Sequence, residues 1–165
     1  MTPTSSLPWT VTTVTAGFSG PEAAVFDGSN VWALDALDAT LKKLDAEGAI
    51  LQTVTVGVET NSAIYDGLSI WVASDSSITV IRASTGAVLA TLTGNGLNGG
   101  FQGAFDGTRY LVTNQTGNSV SLWKAADLTP LGSFPMPASS VPFGACSDGL
   151  DFWVVLRTAN KLARF

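Results

Sequence analysis

An Asp-Gly dipeptide recurs along this chain at Asp27-Gly28, Asp66-Gly67, Asp106-Gly107 and Asp148-Gly149, at spacings of 39, 40 and 42 residues. Self-similarity at such a period constrains the fold more than local propensity does, because each unit must stack on a like neighbour to bury its apolar faces. A short small-to-apolar segment precedes each dipeptide: Ala23-Ala24-Val25-Phe26, Ser62-Ala63-Ile64-Tyr65, Gly103-Ala104-Phe105 and Gly144-Ala145-Cys146-Ser147. Four and five residues beyond each Asp comes an apolar pair: Val31-Trp32, Ile70-Trp71, Tyr110-Leu111 and Phe152-Trp153. Asp-Gly between apolar segments is a hairpin signal, since both residues tolerate positive φ.

Strand one of each unit therefore ends at the Asp-Gly, and strand two carries the apolar pair. A third strand follows a polar loop, at Thr40 to Leu44, Ile78 to Ile81 and Val120 to Trp123. Turns at Glu47-Gly48, Thr85-Gly86 and Leu128-Thr129-Pro130 lead to a fourth, at Ile50 to Val56, Val88 to Thr93 and Leu131 to Phe134. Four short strands in a period of about 40 residues predict the blade of an all-β propeller. The expected organisation is one domain spanning 1–165, with blades at 21–60, 61–100, 101–141 and 142–165. The last unit stops after its third strand, Lys161 to Phe165. Its missing fourth strand is expected within 1–20, where Trp9 to Gly17 matches the pattern of Leu51 to Gly57. Such a strand hides edges that otherwise invite aggregation. Two arrangements stay open: a closed four-bladed ring within one chain, or half of an eight-bladed dimer formed by symmetric exchange.

The units resemble the blades of the NHL and YVTN families of β-propellers. The resemblance rests on Pro21-Glu22-Ala23-Ala24-Val25-Phe26-Asp27-Gly28-Ser29-Asn30-Val31-Trp32-Ala33. It is echoed by Ser62-Ala63-Ile64-Tyr65-Asp66-Gly67-Leu68-Ser69-Ile70-Trp71-Val72-Ala73, followed by Ser84-Thr85-Gly86. It implies the architecture and leaves function open, because such blades occur in lyases, lactonases, adhesins and scaffolds. Propellers of these families commonly have six to eight blades, whereas this chain carries four.

Histidine is absent. That removes the commonest general base and the commonest metal ligand. The related propeller lyases that inactivate virginiamycin rely on a catalytic histidine, so the resemblance does not carry their activity here. No phosphate-binding G-x-x-x-x-G-K-[ST] and no C-x-x-C occurs. Cys146 is the single cysteine, which excludes an intramolecular disulfide. Its apolar surroundings predict a buried structural thiol. Asp35, Asp38 and Asp45 read as a solvated acidic loop, without the glycine and terminal glutamate of a Ca²⁺-binding EF-hand. No metal or other cofactor is expected. The Asp of each Asp-Gly reads as turn chemistry. Trp32, Trp71, Tyr110 and Trp153 are expected between blades. Trp9 and Trp123 fall outside that register and are expected to be half-buried or free for contacts.

The chain carries only 13% charged residues, 45% hydrophobic ones and a net charge of −5. Its few cations form no cluster, which argues against nucleic acid as a partner. No run of about 20 apolar residues suggests membrane insertion. Met1 to Pro8 lacks the charge and apolar core of a signal peptide. The expectation is a soluble chain, reaching the outside of a cell only by a route such as lysis.

Function is expected on loops held by the rigid scaffold. The face bearing the loops between strands two and three gathers Asp35, Asp38, Asp75, Ser76, Asn114, Gln115, Asn118, Arg157 and Asn160. The connections between blades add Asn61, Asn95 and Asn98, and Gly94 to Gly100 reads as a mobile bend. This polar, amide-rich surface suits glycan hydroxyls or another protein. The leading expectation is a non-catalytic binding or structural module: an adhesin, a lectin-like receptor binder, or a virion component on a phage tail or capsid. Two alternatives remain. A metal-dependent lactonase or hydrolase needs carboxylates converging on the axis, where the first strands offer only Glu22. An assembly element would exchange its N-terminal strand with another copy in a homo-oligomer.

Overall fold

The computed structural model describes residues 10–165. Among these the chain is all-β, without a helix, and its strands form four separate antiparallel sheets in sequence order. Blade 1 comprises β1 (Pro21–Phe26), β2 (Val31–Asp35), β3 (Thr40–Leu44) and β4 (Ile50–Thr55). Blade 2 comprises β5 (Thr60–Tyr65), β6 (Ser69–Ser74), β7 (Ser77–Arg82) and β8 (Val88–Thr93). Blade 3 comprises β9 (Gly100–Phe105), β10 (Arg109–Asn114), β11 (Ser119–Lys124) and β12 (Pro130–Pro135). Blade 4 comprises β13 (Pro142–Ser147), β14 (Phe152–Leu156) and β15 (Lys161–Arg164). The chain thus has the four-bladed β-propeller architecture expected from the repeat.

The hairpins that start each blade use the glycine alone for positive φ: +94° at Gly28, +97° at Gly67, +100° at Gly107 and +92° at Gly149. With glycine first of the two turn residues, this is the II′ geometry that matches strand twist. The Asp sits just before the turn and caps it. Oδ1 of Asp27 accepts the amides of Ser29 (2.8 Å) and Asn30 (2.7 Å), and Asp66, Asp106 and Asp148 repeat the pattern. The other carboxylate oxygen accepts an indole N–H: Trp32 on Asp27 (2.8 Å), Trp71 on Asp66 (2.7 Å) and Trp153 on Asp148 (2.9 Å). Blade 3 has Leu111 where the others have Trp, and there Arg109 Nε takes the free oxygen of Asp106 at 2.7 Å.

Middle strands are apolar on both faces because a blade lies between two others. All six residues of β6 are buried. Outer strands such as β8 bury neither face fully. Between blades 1 and 2 pack Trp32, Leu34, Leu41 and Val54 against Ile70, Val72 and Ile81. Between blades 2 and 3, Trp71 and Ile78 meet Tyr110, Val112 and Trp123. Between blades 3 and 4, Leu111, Val120 and Leu122 meet Phe152, Val154 and Leu156. Trp32, Trp71 and Tyr110 are wholly buried, as expected. Tyr110 sits one residue earlier in the register than the tryptophans, so it faces back and stacks on Trp71 at 4.6 Å. Trp123 is also core, at 1% exposure, since it pairs with Tyr110 across β10 and β11. Trp9 lies outside the described residues.

The chain ends add three findings. Among the described residues the sheet of blade 4 has three strands, and residues 10–16 form no strand, contrary to expectation, while Met1 to Trp9 lie outside the described residues. That segment runs instead along the outer face of blade 1. A methyl group at Gly48 would run into Val14, and one at Gly17 would lie 2.7 Å from Ile50. Second, the ring is not closed within these residues. The inner strands pack in succession, β1 on β5, β5 on β9 and β9 on β13, with no comparable packing of β13 on β1. Third, Cys146 is exposed. It pairs with Trp153 across β13 and β14, on the face of blade 4 that no other blade covers.

Candidate functional site

Most of the polar residues expected on the loop face turn out to hold the scaffold together. Asp35, at the end of β2, is fully buried. It accepts the amides of Ser19 and Gly20 at 2.8 Å and the Lys42 ammonium at 2.6 Å. Burial opposes its charge, but Lys42 and the two amides outweigh it and hold the carboxyl far below the ordinary range. Asp38 is the second partner of Lys42, at 2.8 Å. Asp45 caps its own turn through the amides of Glu47 and Ala49. All three carboxylates thus serve structure, and Asp35 corrects the expected solvated loop: it is buried because Lys42 and two backbone amides compensate its charge.

The amides behave alike. Asn114 is buried and donates to Ser119 Oγ (3.0 Å) and Ser121 Oγ (2.8 Å). Asn118, at φ +48°, clamps the connection from blade 3 to blade 4. Its Nδ2 donates to the carbonyls of Met136 and Pro137, and its Oδ1 accepts the amides of Ser140 and Val141. Asn95 donates to the Leu122 carbonyl at 2.9 Å. The Gly94 to Gly100 bend is pinned: the amides of Gly99 and Gly100 both donate to the Asp75 carbonyl. Asn98 is exposed and accepts the Gly117 N–H on its backbone carbonyl, Gln115 donates its backbone N–H to the Gly99 carbonyl, and Asn160 is an exposed turn residue at φ +53°.

What remains gathers at the start of the inner strands, beside the propeller axis. Counting back five residues from each turn Asp gives Glu22, Asn61, Phe101 and Phe143. The pairing of each inner strand with its neighbour shifts register at this level: between Pro21 and Ala23, between Thr60 and Ser62, opposite Val112 to Asn114, and between Pro142 and Ala145. A bulge re-aims a side chain out of the ladder and is common beside binding sites. Buried hydroxyls hold these bulges, from the adjacent blade and from within the blade. Ser62 Oγ accepts the Gly103 amide at 3.1 Å, and Thr113 Oγ1 accepts the Gln102 amide at 3.0 Å while donating to the Phe143 carbonyl at 2.8 Å.

At this level blades 3 and 4 meet through two aromatic rings. The Phe101 and Phe143 rings lie 4.4 Å apart, tilted by 39°. The Arg157 guanidinium stands 4.9 Å above Phe143, a cation–π arrangement. On the other side Asn61 Nδ2 donates to the Gly100 carbonyl at 2.9 Å and approaches Asp75 Oδ1 at 3.4 Å. Both rings are half-buried, and Arg157 and Asp75 are exposed. Of the residues expected on the loop face, Asn61 and Asp75 lie beside Gly100 and Arg157 lies over Phe143. The two phenylalanines were missed, although the same five-residue offset from the Asp-Gly marks them. Glu22 stands at the equivalent position of blade 1, exposed. Among the described residues no three His, Cys, Asp or Glu gather in metal-binding geometry.

No family model matches the sequence, and no curated protein matches it. Solved structures match it well in shape. A streptogramin B lyase superposes with a TM-score of 0.74 at 16% identity, covering 92% of this chain and 56% of the other. A catalytically inactive His-to-Ala variant of virginiamycin B lyase from Staphylococcus aureus, with quinupristin, gives 0.70 at 16% identity, over 87% and 51%. A protein of unknown function from Desulfotomaculum acetoxidans gives 0.76 at 15% identity, over 98% and 60%. This chain therefore spans between half and three-fifths of the length of these neighbours. At such identity the likeness speaks for the fold, an NHL/YVTN-like propeller repeat.

Proposed function

We propose that this chain is a non-catalytic binding module that takes a carbohydrate on the surface formed by Asn61, Asp75, Phe101, Phe143 and Arg157. The observation that carries the reading is the pair of half-buried phenylalanines capped by a guanidinium. They occupy positions where the other two blades carry the polar Glu22 and Asn61. A sugar ring has an apolar C–H face that lies on aromatic rings and hydroxyls that bond at its rim. Asn61, Asp75 and Arg157 supply acceptors and donors on both sides of the aromatic pair. The weakly acidic character of the chain favours a neutral or cationic sugar over a polyanionic one.

The non-catalytic part of the reading is supported by the absence of histidine, since a His-to-Ala variant of the similar virginiamycin B lyase is the inactive one. The carboxylates that an alternative metal-dependent hydrolase would need are bound up elsewhere: Asp35 and Asp38 hold Lys42, and Asp75 borders Asn61. Nothing in the fold favours a virion location over any other setting for such a module.

Binding of a glycan panel, followed by calorimetry on the best ligand, tests the reading. Phe101→Ala is expected to weaken affinity by roughly five- to tenfold, the worth of about 1–1.5 kcal/mol for an aromatic contact. No glycan bound at millimolar concentration, or one bound equally well by Phe101→Ala and Phe143→Ala, refutes it.

A further inference from the structure

We propose that the cleft between blades 1 and 2, on the face of the Asp-Gly turns, binds a small organic monocarboxylate through the Lys43 ammonium. The inference goes beyond the carbohydrate reading and does not rest on it. The two places lie at opposite ends of the inner strands: β5 begins at Thr60, beside Asn61, and ends at Tyr65, which lines the cleft.

The repeat supplies its own control. Trp32 pairs with Lys43 across β2 and β3, and the same position pairs Trp71 with Val80 in blade 2 and Leu111 with Leu122 in blade 3. Val80 and Leu122 are buried aliphatics. Blade 1 alone of these three places a cation there. Two further positions change with it. Ser29, two residues beyond Asp27, stands where blade 2 has Leu68. Ser84, two beyond Arg82, stands where blade 3 has Ala126, two beyond Lys124. These two loops are closed alike, by the Arg82 amide on the Ala87 carbonyl and the Lys124 amide on the Thr129 carbonyl. Ser29, Lys43 and Ser84 line one cleft, whereas Leu68, Val80 and Ala126 line its counterpart between blades 2 and 3. The cation of that counterpart, Arg82, comes with Asp127 in the same lining. Three apolar-to-polar changes thus converge on a single place. Turn chemistry explains a serine in one loop, but not the meeting of two such loops with a lysine from a middle strand.

The cation is held without being paired. Nζ of Lys43 stands 5.2 Å over the Trp32 ring and donates to the Ala83 carbonyl at 3.4 Å. Among the described residues Lys43 makes no ion pair. The carboxylate of the cleft, Asp27, is committed to its turn and accepts the amides of Ser29 and Asn30 and the Trp32 indole. Burial opposes the charge of Asp27, but the Asn30 amide and the indole outweigh it and keep the carboxyl below its ordinary range. An ammonium carries three donors, so Lys43 has hydrogens to spare for an incoming anion. A bond between an ammonium and a carboxylate is shorter and roughly twice as strong as a neutral one.

Size and charge set the class of ligand. The cleft encloses about 440 Å³, within the range of about 300–1,000 Å³ of small-molecule sites. Tyr65, Leu68 and Ala83 give it an apolar wall, and the Tyr65 hydroxyl is spent on the Gly67 carbonyl. With Asp27 ionised in the same cleft, Lys43 favours a ligand of single negative charge over a phosphate dianion. The fitting ligand is a monocarboxylate with a compact apolar body, its oxygens on Lys43 and the hydroxyls of Ser29 and Ser84 lining the same cleft as further donors.

Benzoate titrated into the full chain and followed by amide NMR tests the proposal. Saturable shifts are expected at Ser29, Leu68 and Ser84. Benzamide, alike in shape but uncharged, is expected to bind roughly tenfold more weakly, the worth of a hydrogen bond to a charged group. Lys43→Val installs the residue that blade 2 carries at this position and is expected to erase the difference between benzoate and benzamide. Benzoate without saturable shifts, shifts centred elsewhere, benzamide bound equally well, inorganic phosphate bound more tightly than benzoate, or a Lys43→Val chain that keeps the preference for benzoate each overturns the proposal. Should Lys43→Val fail to fold, the comparison of benzoate, benzamide and phosphate on the unaltered chain decides by the same criteria.

Discussion

Trp71 and Trp153 make the same bond to the same turn Asp yet face different surroundings, so one substitution at both sites tests the packing logic. Trp71 is wholly buried, stacks on Tyr110 at 4.6 Å and donates its indole N–H to Asp66 at 2.7 Å. Trp71→Ala empties the space between blades 2 and 3 and is expected to cost about 3–5 kcal/mol. Loss of the Tyr110 stack accounts for about 1 kcal/mol of that. Asp66 keeps the amides of Leu68 and Ser69, so no stranded charge adds to the cost. For a chain of this size the melting temperature should fall by roughly 6–20 °C. Trp153 is half-buried, with the Arg164 guanidinium 5.4 Å above its ring. Trp153→Ala should cost about 1 kcal/mol or less. Urea denaturation of the two variants supplies the comparison. Equal losses at the two sites would show that the face of blade 4 is covered as the others are, and the packing reasoning would fail.

Further outcomes follow from the same contacts. Asp35 has a folded-state pKa well below its unfolded value of about 4. Its contribution is therefore complete above pH 4 and lost as the pH falls below that, because the unfolded chain then binds the extra proton. Asp35→Asn should lower the denaturation midpoint at pH 7 and flatten the acid limb below pH 4; an unchanged limb would remove Asp35 from the account. Its cost at neutral pH should sit near the lower end of about 3–5 kcal/mol, since Asp38 still faces Lys42 at 2.8 Å. At the bend between blades 2 and 3, a methyl group on Gly100 would run into the backbone carbonyl oxygen of Ser74. Gly100→Ala should cost about 1–3 kcal/mol and shift the Asn61 contact with it, so thermal melting and glycan affinity should both drop.

The blades were legible because their signal is local. Asp-Gly fixes the hairpin, and the strands fall within a residue or two of where the Asp-Gly register places them, as with β3 at Thr40–Leu44 and β8 at Val88–Thr93. Ring closure was not legible, because it depends on the angle between blades, which accumulates over every inter-blade contact and is written in no single segment. Trp9 to Gly17 has the pattern of an outer strand, but pattern cannot say which sheet it joins. The exposure of Cys146 was misjudged for a related reason: alternation shows which residues share a face, and only the assembled arc shows that nothing covers that face.

The candidate site was half legible. Asn, Asp and Ser in loops serve two ends, and Asp35, Asn114 and Asn118 show that bends consume them to satisfy backbone groups. The phenylalanines were hidden in strands that read as core. The bulges, held by the hydroxyls of Ser62 and Thr113, are what bring Phe101 and Phe143 together beside the axis.

The measurement closest to the central claim, that the surface of Phe101, Phe143 and Arg157 takes a carbohydrate, is calorimetric titration of the best glycan of the panel into the unaltered chain and into Phe143→Ala. The account predicts saturable binding to the unaltered chain that Phe143→Ala weakens by roughly five- to tenfold. Equal affinity for the two, or no binding at millimolar concentration, would contradict it.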